Sequence, residues 1–287
     1  MTSTVTAGLD GSPESRTAAE WAAREAQSRG LPLRLVHVWE PMPSHLAQAP
    51  FLAGETRQRW TEELPEDAVD AVRAHHPGLE VHTDELSGDP AKALIRAADE
   101  AQLMVLGSRG FGTVEGFVAG SVSLTVIGHA VRPVVLVRAP GGADDVSGPV
   151  VLGLDLDSQN DTLLDFAFEA AARGGSALRV VHAWGRSPSD LDPFRSDAHR
   201  HGLAAVKETA ALTKALRPWR LEFPDVEVVE ASRCGSAAQI LVDDCRGARL
   251  AVVGRHIRPG AHASRVGHVA HAVIHHVQAP VAVVAHE

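Results

Sequence analysis

The chain has no tyrosine, only two cysteines and few aromatic residues, with seven Phe and five Trp among its 287 residues. A stacking platform for single-stranded nucleic acid is therefore poorly supplied. The longest apolar runs are the length of a strand, far short of the roughly 20 residues that span a bilayer. A net charge of −9 also argues against attraction to nucleic acid or to an anionic membrane surface.

Two further absences bear on where the protein works. The N-terminus has neither the basic start nor the apolar core of a signal peptide. Cys234 and Cys245 cannot by themselves supply the four ligands of a structural zinc site, and a reducing cytosol disfavours a disulfide. We therefore predict a cytoplasmic protein in which both cysteines are plain thiols.

Several short sequence motifs occur once in each half of the chain. The run "GLD" begins at Gly8 and again at Gly153, and "HVW" in the first half recurs as "HAW" in the second. The run "LMVLG" ends at Gly107, and "LAVVG" ends at Gly254. Such self-similarity over half a chain indicates a tandem repeat of one domain.

Between the two copies, residues 139–149 read "APGGADDVSGP", a composition typical of a linker. We therefore predict one domain over residues 1–140 and a second over 149–287. Each copy alternates apolar runs of strand length with helical patterns. Ser12-Pro13 is expected to cap the first helix, which Gly30 would end, and Asp89-Pro90 is expected to open a later helix. Strands that are apolar throughout imply a parallel sheet covered on both faces, so each half is predicted to be a doubly wound, five-stranded α/β domain of Rossmann-like type.

A glycine-rich segment follows the fourth predicted strand of the first half, with Gly107, Gly110, Gly120 and Ser121 in the pattern G-x2-G-x9-G-S. Between a strand and a helix, free backbone N–H groups and the helix dipole favour an anion such as phosphate. Ser121 could add a hydroxyl, and Arg109 a charge. From the residues alone, a flexible loop with a serine cap remains the alternative.

The glycine pattern, the acid that ends strand one, the "HVWEP" after strand two and the closing "RPVVLVR" together resemble the universal stress protein family. The resemblance covers nearly the whole chain, as in two-domain actinobacterial members. It implies a fold similar to the adenine-nucleotide alpha hydrolase-like proteins, and ATP binding, with Mg²⁺ accompanying the phosphates. A different adenine nucleotide, such as a cyclic one, stays open.

The resemblance also implies a role for each matching position. The nucleoside would lie near residues of strands one and two, and the phosphates near the glycine segment. The residues concerned are Gly8, Leu9, Asp10 and Val38 for the nucleoside, and Gly107, Arg109, Gly110, Gly120, Ser121 and Val122 for the phosphates. For Asp10, an ordinary turn after strand one is the alternative.

The second half departs from this pattern. Gly254 and Gly267 keep the outer glycines, but Ile257 stands at the middle position and His268 replaces the serine. An isoleucine disfavours positive φ and would intrude on the phosphates. We predict that the second domain binds ATP weakly or not at all.

Three histidines, His268, His271 and His275, share one helical face in the second half. Three imidazoles could hold zinc. A polar stripe on a surface helix is the simpler interpretation.

Three classes of function compete: a nucleotide-binding stress or signalling module, a slow ATPase, and a scaffold without ligand. Phosphoryl transfer needs positioned charge, and the loop offers Arg109 and Glu115 without a Walker lysine. A binding module is therefore favoured over an enzyme. The apolar fifth strand "VVLV" suggests pairing with another copy, and so a homodimer, besides an unknown protein partner.

Overall fold

A computed structural model describes residues 3–39, 64–108, 121–138, 147–185, 198–257 and 266–287. The chain divides into two compact units, Met1–Asp144 and Asp145–Glu287.

The first unit alternates strands and helices along the chain. Its elements are β1 Val5–Leu9, α1 Pro13–Arg29, β2 Leu33–Trp39, α2 Leu64–His75, β3 Val81–Ser87, α3 Pro90–Glu100, β4 Leu103–Ser108, α4 Ser121–His129 and β5 Val134–Arg138. The strands are parallel in the order β3-β2-β1-β4-β5.

The second unit repeats this plan. Its elements are β6 Val150–Gly153, α5 Asp161–Arg173, β7 Leu178–Trp184, α6 Ala198–Glu222, β8 Val228–Cys234, α7 Ala237–Asp244, β9 Leu250–His256, α8 His268–His276 and β10 Val281–His286. Its parallel strands follow the order β10-β9-β6-β7-β8. The predicted fold class, two tandem doubly wound five-stranded α/β domains, is confirmed.

Helices cover both faces of each sheet. In the first unit α1 contacts β1, β4 and β5 and lies beside α2, while α3 and α4 contact each other. The buried face of α1 is a run of small side chains, Ala18, Ala19, Ala22, Ala23 and Ala26. Because alanines let the helix lie close to the sheet, the first turn of α1 comes near the carboxyl ends of the strands.

The helix ends follow the predicted signals. Ser12 caps α1 with its side chain and Pro13 is the first helical residue, while Gly30 ends the helix at φ 63°. Asp89 caps α3 in the same way ahead of Pro90. These local predictions are confirmed.

One prediction about the strands was wrong. β3 and β8 are not apolar throughout, and their side chains are half-buried or exposed. Both strands lie at one end of their unit's strand order, so each pairs with a single strand of its own unit. Arg34 on β2 fixes β3 through an ion pair with Asp84 at 2.6 Å.

An aromatic cluster holds the second unit's longest described helix. Phe168 on α5 is fully buried, and its ring centroid lies 5.8 Å from that of Trp219 on α6 and 5.4 Å from that of Phe223. Leu212 and Leu216 complete the buried side of α6. This contact fixes one face of α6 and leaves the opposite face to solvent.

Candidate functional site

The strand order of the first unit reverses between β1 and β4. From β1 the chain moves outward to β2 and β3, and it then returns to β4 and β5 on the other side. In open parallel sheets, ligands bind beyond the carboxyl ends of the strands at this switch point. Leu9, Gly107 and Arg138 lie at or next to those ends on β1, β4 and β5.

Asp10 follows β1 and forms a tight turn with Ser12. Gly11, between them, has φ 79°. The carboxylate oxygen Oδ1 of Asp10 accepts hydrogen bonds from the backbone N–H of Ser12, at 3.0 Å, and from its hydroxyl. The Ser12 hydroxyl oxygen in turn accepts from the Ser15 N–H at 3.1 Å. The exposed Asp10 is therefore part of the cap of α1, as the turn alternative expected, and it still lies at the edge of the site.

Gly107 and Gly8 are explained by packing. A Cβ at Gly107 would lie 2.7 Å from the backbone carbon of Glu14 and 2.8 Å from the Ser15 nitrogen, so the first turn of α1 rests directly on β4. A Cβ at Gly8 would lie 2.7 Å from Cδ2 of Leu106. Gly8 is thus in close contact with the core. Near Gly8, a ligand could contact only the backbone of β1.

Ser108, which the sequence analysis did not single out, ends β4 beside Gly107. It is only 1% exposed, and its hydroxyl has no hydrogen-bond partner among the described residues. Burying a hydroxyl without a partner is costly. Its position between two residues of the glycine pattern was the signal that could have found it.

The N-terminus of α4 lies at the same edge. The Ser123 hydroxyl donates to the Gly107 carbonyl at 3.3 Å and ties the first turn of α4 to the end of β4. Ser108 pairs in register with Arg138 on β5. Burial lowers the pKa of the Arg138 guanidinium, which nonetheless remains a cation at physiological pH. A hydroxyl, a guanidinium and a helix N-terminus therefore gather at one edge.

The remaining predicted site residues are distributed as follows. Val38, expected near the nucleoside, is the second-last residue of β2. Its neighbour His37 donates from Nδ1 to the Leu9 carbonyl at 3.0 Å, joining the ends of β2 and β1. Ser121 and Val122 begin α4. Arg109, Gly110 and Gly120 lie outside the described residues.

The equivalent edge of the second unit is built differently. α5 begins six residues after Asp155, whereas α1 begins three residues after Asp10. The ring of His286, at the end of β10, lies against Gly254, where the first unit has the backbone of α1 against Gly107. A longer loop before the helix makes room for this ring.

Two histidine rings contact each other at that edge in a tilted arrangement, with 50° between their planes. The ring centroids of His256 and His286 are 4.3 Å apart. His286 Nδ1 donates to the Gln159 carbonyl at 3.0 Å, and His256 Nε2 lies 3.2 Å from the Ser158 hydroxyl. In the second unit, the side chains of His256 and His286 thus occupy the edge of the sheet where a ligand would bind.

This arrangement predicts a pH dependence of stability. Burial lowers the pKa of His286 below its usual 6.5, His256 lowers it further, and the Gln159 carbonyl and Asp155 act in the opposite direction. Below pH 6.5 the unfolded chain therefore binds a proton at this histidine that the folded chain does not bind. The contribution of His286 to the free energy of unfolding is complete above pH 6.5 and falls as the pH drops from 6.5 toward the lowered pKa.

We expect His286→Gln to flatten the dependence of the free energy of unfolding on pH between 6.5 and 4.5, measured by urea titration with circular dichroism. His129→Gln, at an exposed position, serves as the control. Equal slopes for the parent and His286→Gln would show that His286 does not titrate in this way.

The remaining histidines and cysteines give less support for a functional site. The ring centroids of His271 and His275 on α8 are 4.2 Å apart, with the rings tilted to each other, and His275 is buried, so the histidines do not form a uniform surface stripe. Within the described ranges, no group of three or more His, Cys, Asp or Glu side chains could hold a metal ion. Cys234 is exposed, while burial raises the pKa of the Cys245 thiol to about 12. No helix in the described part of the chain is long and apolar enough to cross a membrane.

Comparison with known proteins gives a consistent result. The sequence profile of the universal stress protein family matches residues 1–138 and again 147–285. A universal stress protein of Mycobacterium tuberculosis is 32% identical over 290 residues, which cover 97% of this chain and 96% of the relative. One from Mycolicibacterium smegmatis is 32% identical over 286 residues, covering 96% and 95%. The crystal structure of a universal stress protein from Archaeoglobus fulgidus covers 98% of both chains with a TM-score of 0.67 at 16% identity, and so supports the fold.

Proposed function

The chain belongs to the universal stress protein family, with two tandem domains of that family, and we propose that its first domain binds ATP and acts as a nucleotide-dependent module of stress response or signalling. Neither mycobacterial relative is named as an enzyme. The proposal is therefore a binding module, with Mg²⁺ held by the phosphates and water. A homodimer and a protein partner remain predictions.

The buried hydroxyl of Ser108 is the observation that carries this proposal. A hydroxyl without a partner is favourable only if a ligand or water supplies one. It lies beside Gly107, where the chain leaves β4, and near the N-terminus of α4. A phosphate oxygen there would accept from Ser108 and from backbone N–H groups and would be attracted by Arg138.

The adenine end of the proposed site rests on the family resemblance and on the edge that β1 and β2 form. Asp10 lies beyond β1, and Val38 presents its backbone near the end of β2. The His37–Leu9 hydrogen bond fixes the spacing of those two strand ends. A base lying on this edge would place its phosphates toward β4, where Ser108 lies.

The second domain is proposed to leave nucleotide unbound. Its own His286 ring lies at the edge against Gly254, and Ile257, three residues after Gly254, stands where the first domain has Gly110. The position equivalent to Ser108 is occupied by a buried arginine, Arg255, so the second domain has no serine hydroxyl there. We infer one nucleotide per chain.

The test is to release nucleotide from freshly purified protein by heat, identify it by chromatography and count it per chain. We expect about one ATP per parent chain. Gly110→Ile, which copies the second domain, should lose it, because the isoleucine intrudes on the phosphates. Ile257→Gly is the matched control and should leave the count at one.

Several outcomes would contradict the proposal. No nucleotide in the parent, together with no heat of binding when ATP and Mg²⁺ are added, would leave a scaffold or another ligand. Two nucleotides per chain would refute the closed second domain. If the parent protein, with Gly110 intact, converted its bound ATP to ADP within one purification, the slow ATPase would be favoured.

A further inference from the structure

The outward face of α6 is unusually apolar for a surface helix. Leu203, Val206 and Leu221 expose 61%, 69% and 79% of their area. With Ala210, Lys214 and Arg217 they follow steps of three or four residues, so all six lie along one line of the helix, here called the α6 stripe. The opposite face holds the aromatic cluster around Phe168. Burial of the helix against its own unit therefore does not explain the stripe.

Both charged residues of the α6 stripe are cations, while an exposed carboxylate, Glu222, follows Leu221 at its end. Lys207, Lys214, Arg217 and Arg220 are all exposed along the outward side of α6. Arg220 forms an ion pair with Glu230 on β8 at 2.7 Å, and Thr213 donates to the same carboxylate at 2.6 Å. The side chains of Lys214 and Arg217 make no hydrogen bond or ion pair with another described residue.

The stripe borders a groove between α6 and β8. The groove has a volume of about 570 Å³ and is lined by Ala210, Thr213, Lys214, Arg217, Arg220, Leu221 and Glu230. Glu230 is neutralised by Arg220, so the two remaining cations set the charge of the groove. An exposed apolar patch bordered by unpaired charge is typical of a binding surface.

Charge decides which partner fits. Two copies of the stripe facing each other would bring Lys214 and Arg217 against the same cations, so self-association through this face is disfavoured. A flat bilayer would meet the ridge of the helix and leave the groove beside β8 unfilled. A partner with carboxylates opposite the middle of the stripe and apolar side chains opposite its two ends satisfies both features.

We propose that the α6 stripe and its groove bind an acidic amphipathic helix of a partner protein. The stripe runs over the 19 residues from Leu203 to Leu221, about 27 Å of helix, which matches a partner helix of similar length lying alongside it. Leu203 and Val206 contact the partner's apolar residues at one end and Leu221 does so at the other. Lys214 and Arg217 pair with the partner's carboxylates between them.

The test uses a fluorescent synthetic helix of about 20 residues, with leucines near both ends and glutamates in the middle of one face. Its binding to the full chain is followed by anisotropy. We expect saturable binding that weakens at least about tenfold in Lys214→Glu/Arg217→Glu and that falls with added salt. A peptide with lysines in place of the glutamates should bind this double variant better than the parent.

Lys92→Glu/Arg132→Glu changes the net charge equally at exposed positions of the first unit and should bind like the parent. Equal weakening in this control would reduce the effect to net charge and overturn the proposal, as would no saturable binding of the acidic peptide. Sedimentation with vesicles containing phosphatidylglycerol, lost in Lys214→Glu/Arg217→Glu, would assign the surface to lipid instead. Conversion of a dimer to a monomer by that double variant would assign it to a second copy. Either of these last two results would also overturn the proposal.

Discussion

Gly107→Ala is expected to destabilise the first unit by about 1–3 kcal/mol, because an added methyl has no room there. Its Cβ would lie between 2.7 and 2.9 Å from backbone atoms of Glu14 and Ser15. Backbone in the first turn of a capped helix cannot rotate away as a side chain can. The turn of α1 must shift, and Ser12 and Asp10, which are hydrogen-bonded to it, must shift with it.

The same substitution should weaken nucleotide binding at the proposed site. Ser108 and the Gly107 carbonyl that holds α4 both lie at the displaced strand end. We expect nucleotide affinity to fall by at least about tenfold, equivalent to roughly 1.4 kcal/mol. Urea unfolding gives the stability, and isothermal titration with ATP and Mg²⁺ on the folded variant gives the affinity.

Gly202→Ala provides the matched control. Gly202 lies in α6, and a Cβ there meets nothing within 4 Å. Alanine in an open helical position should raise stability by roughly 0.5–1 kcal/mol and leave nucleotide binding unchanged. If Gly107→Ala were as stable as the parent and bound ATP equally well, the close approach of α1 to β4 would not govern the site.

The helix ends could be predicted from the sequence because they depend on neighbouring residues only. Ser12, Gly30 and Asp89 act on the few residues next to them, so their roles as helix caps could be recognised without knowledge of the fold. The strand–helix alternation and the repeat could also be recognised from the sequence, because the central strands of a parallel sheet are apolar and parallel strands need long crossover connections. Family resemblance then supplied the expected ligand.

Contacts between distant segments could not be predicted in this way. Whether Gly8 and Gly107 serve a ligand or a neighbouring element depends on Leu106 and on the backbone of α1, whose distances are set by the fold. The closing of the second domain by His286 joins residues 32 positions apart, from Gly254 to the end of β10. The exposure of β3 and β8 follows from strand order, which hydropathy alone does not give.

Phe168→Ala is expected to have the largest effect on stability, about 3–5 kcal/mol, because it removes a fully buried ring and leaves a cavity. Phe168 contacts both Trp219 and Phe223, whose own centroids are 6.5 Å apart. Aromatic pairs add about 0.5–1.5 kcal/mol each beyond the area they bury. Phe168→Leu, which keeps most of the volume, should cost considerably less than the alanine variant.

The effect of Phe168→Ala should also be local, since Trp219 and Phe223 lie at the end of α6 that carries Arg217 and Leu221. Hydrogen exchange should accelerate in peptides from residues 205–222 and remain unchanged in peptides from α1. Loosening that end would separate Arg220 from Glu230 and displace Arg217, and so weaken binding of the acidic helix without any substitution in the α6 stripe. Unchanged exchange in α6, or a loss of stability below about 1 kcal/mol, would mean that the aromatic cluster does not hold the helix in place.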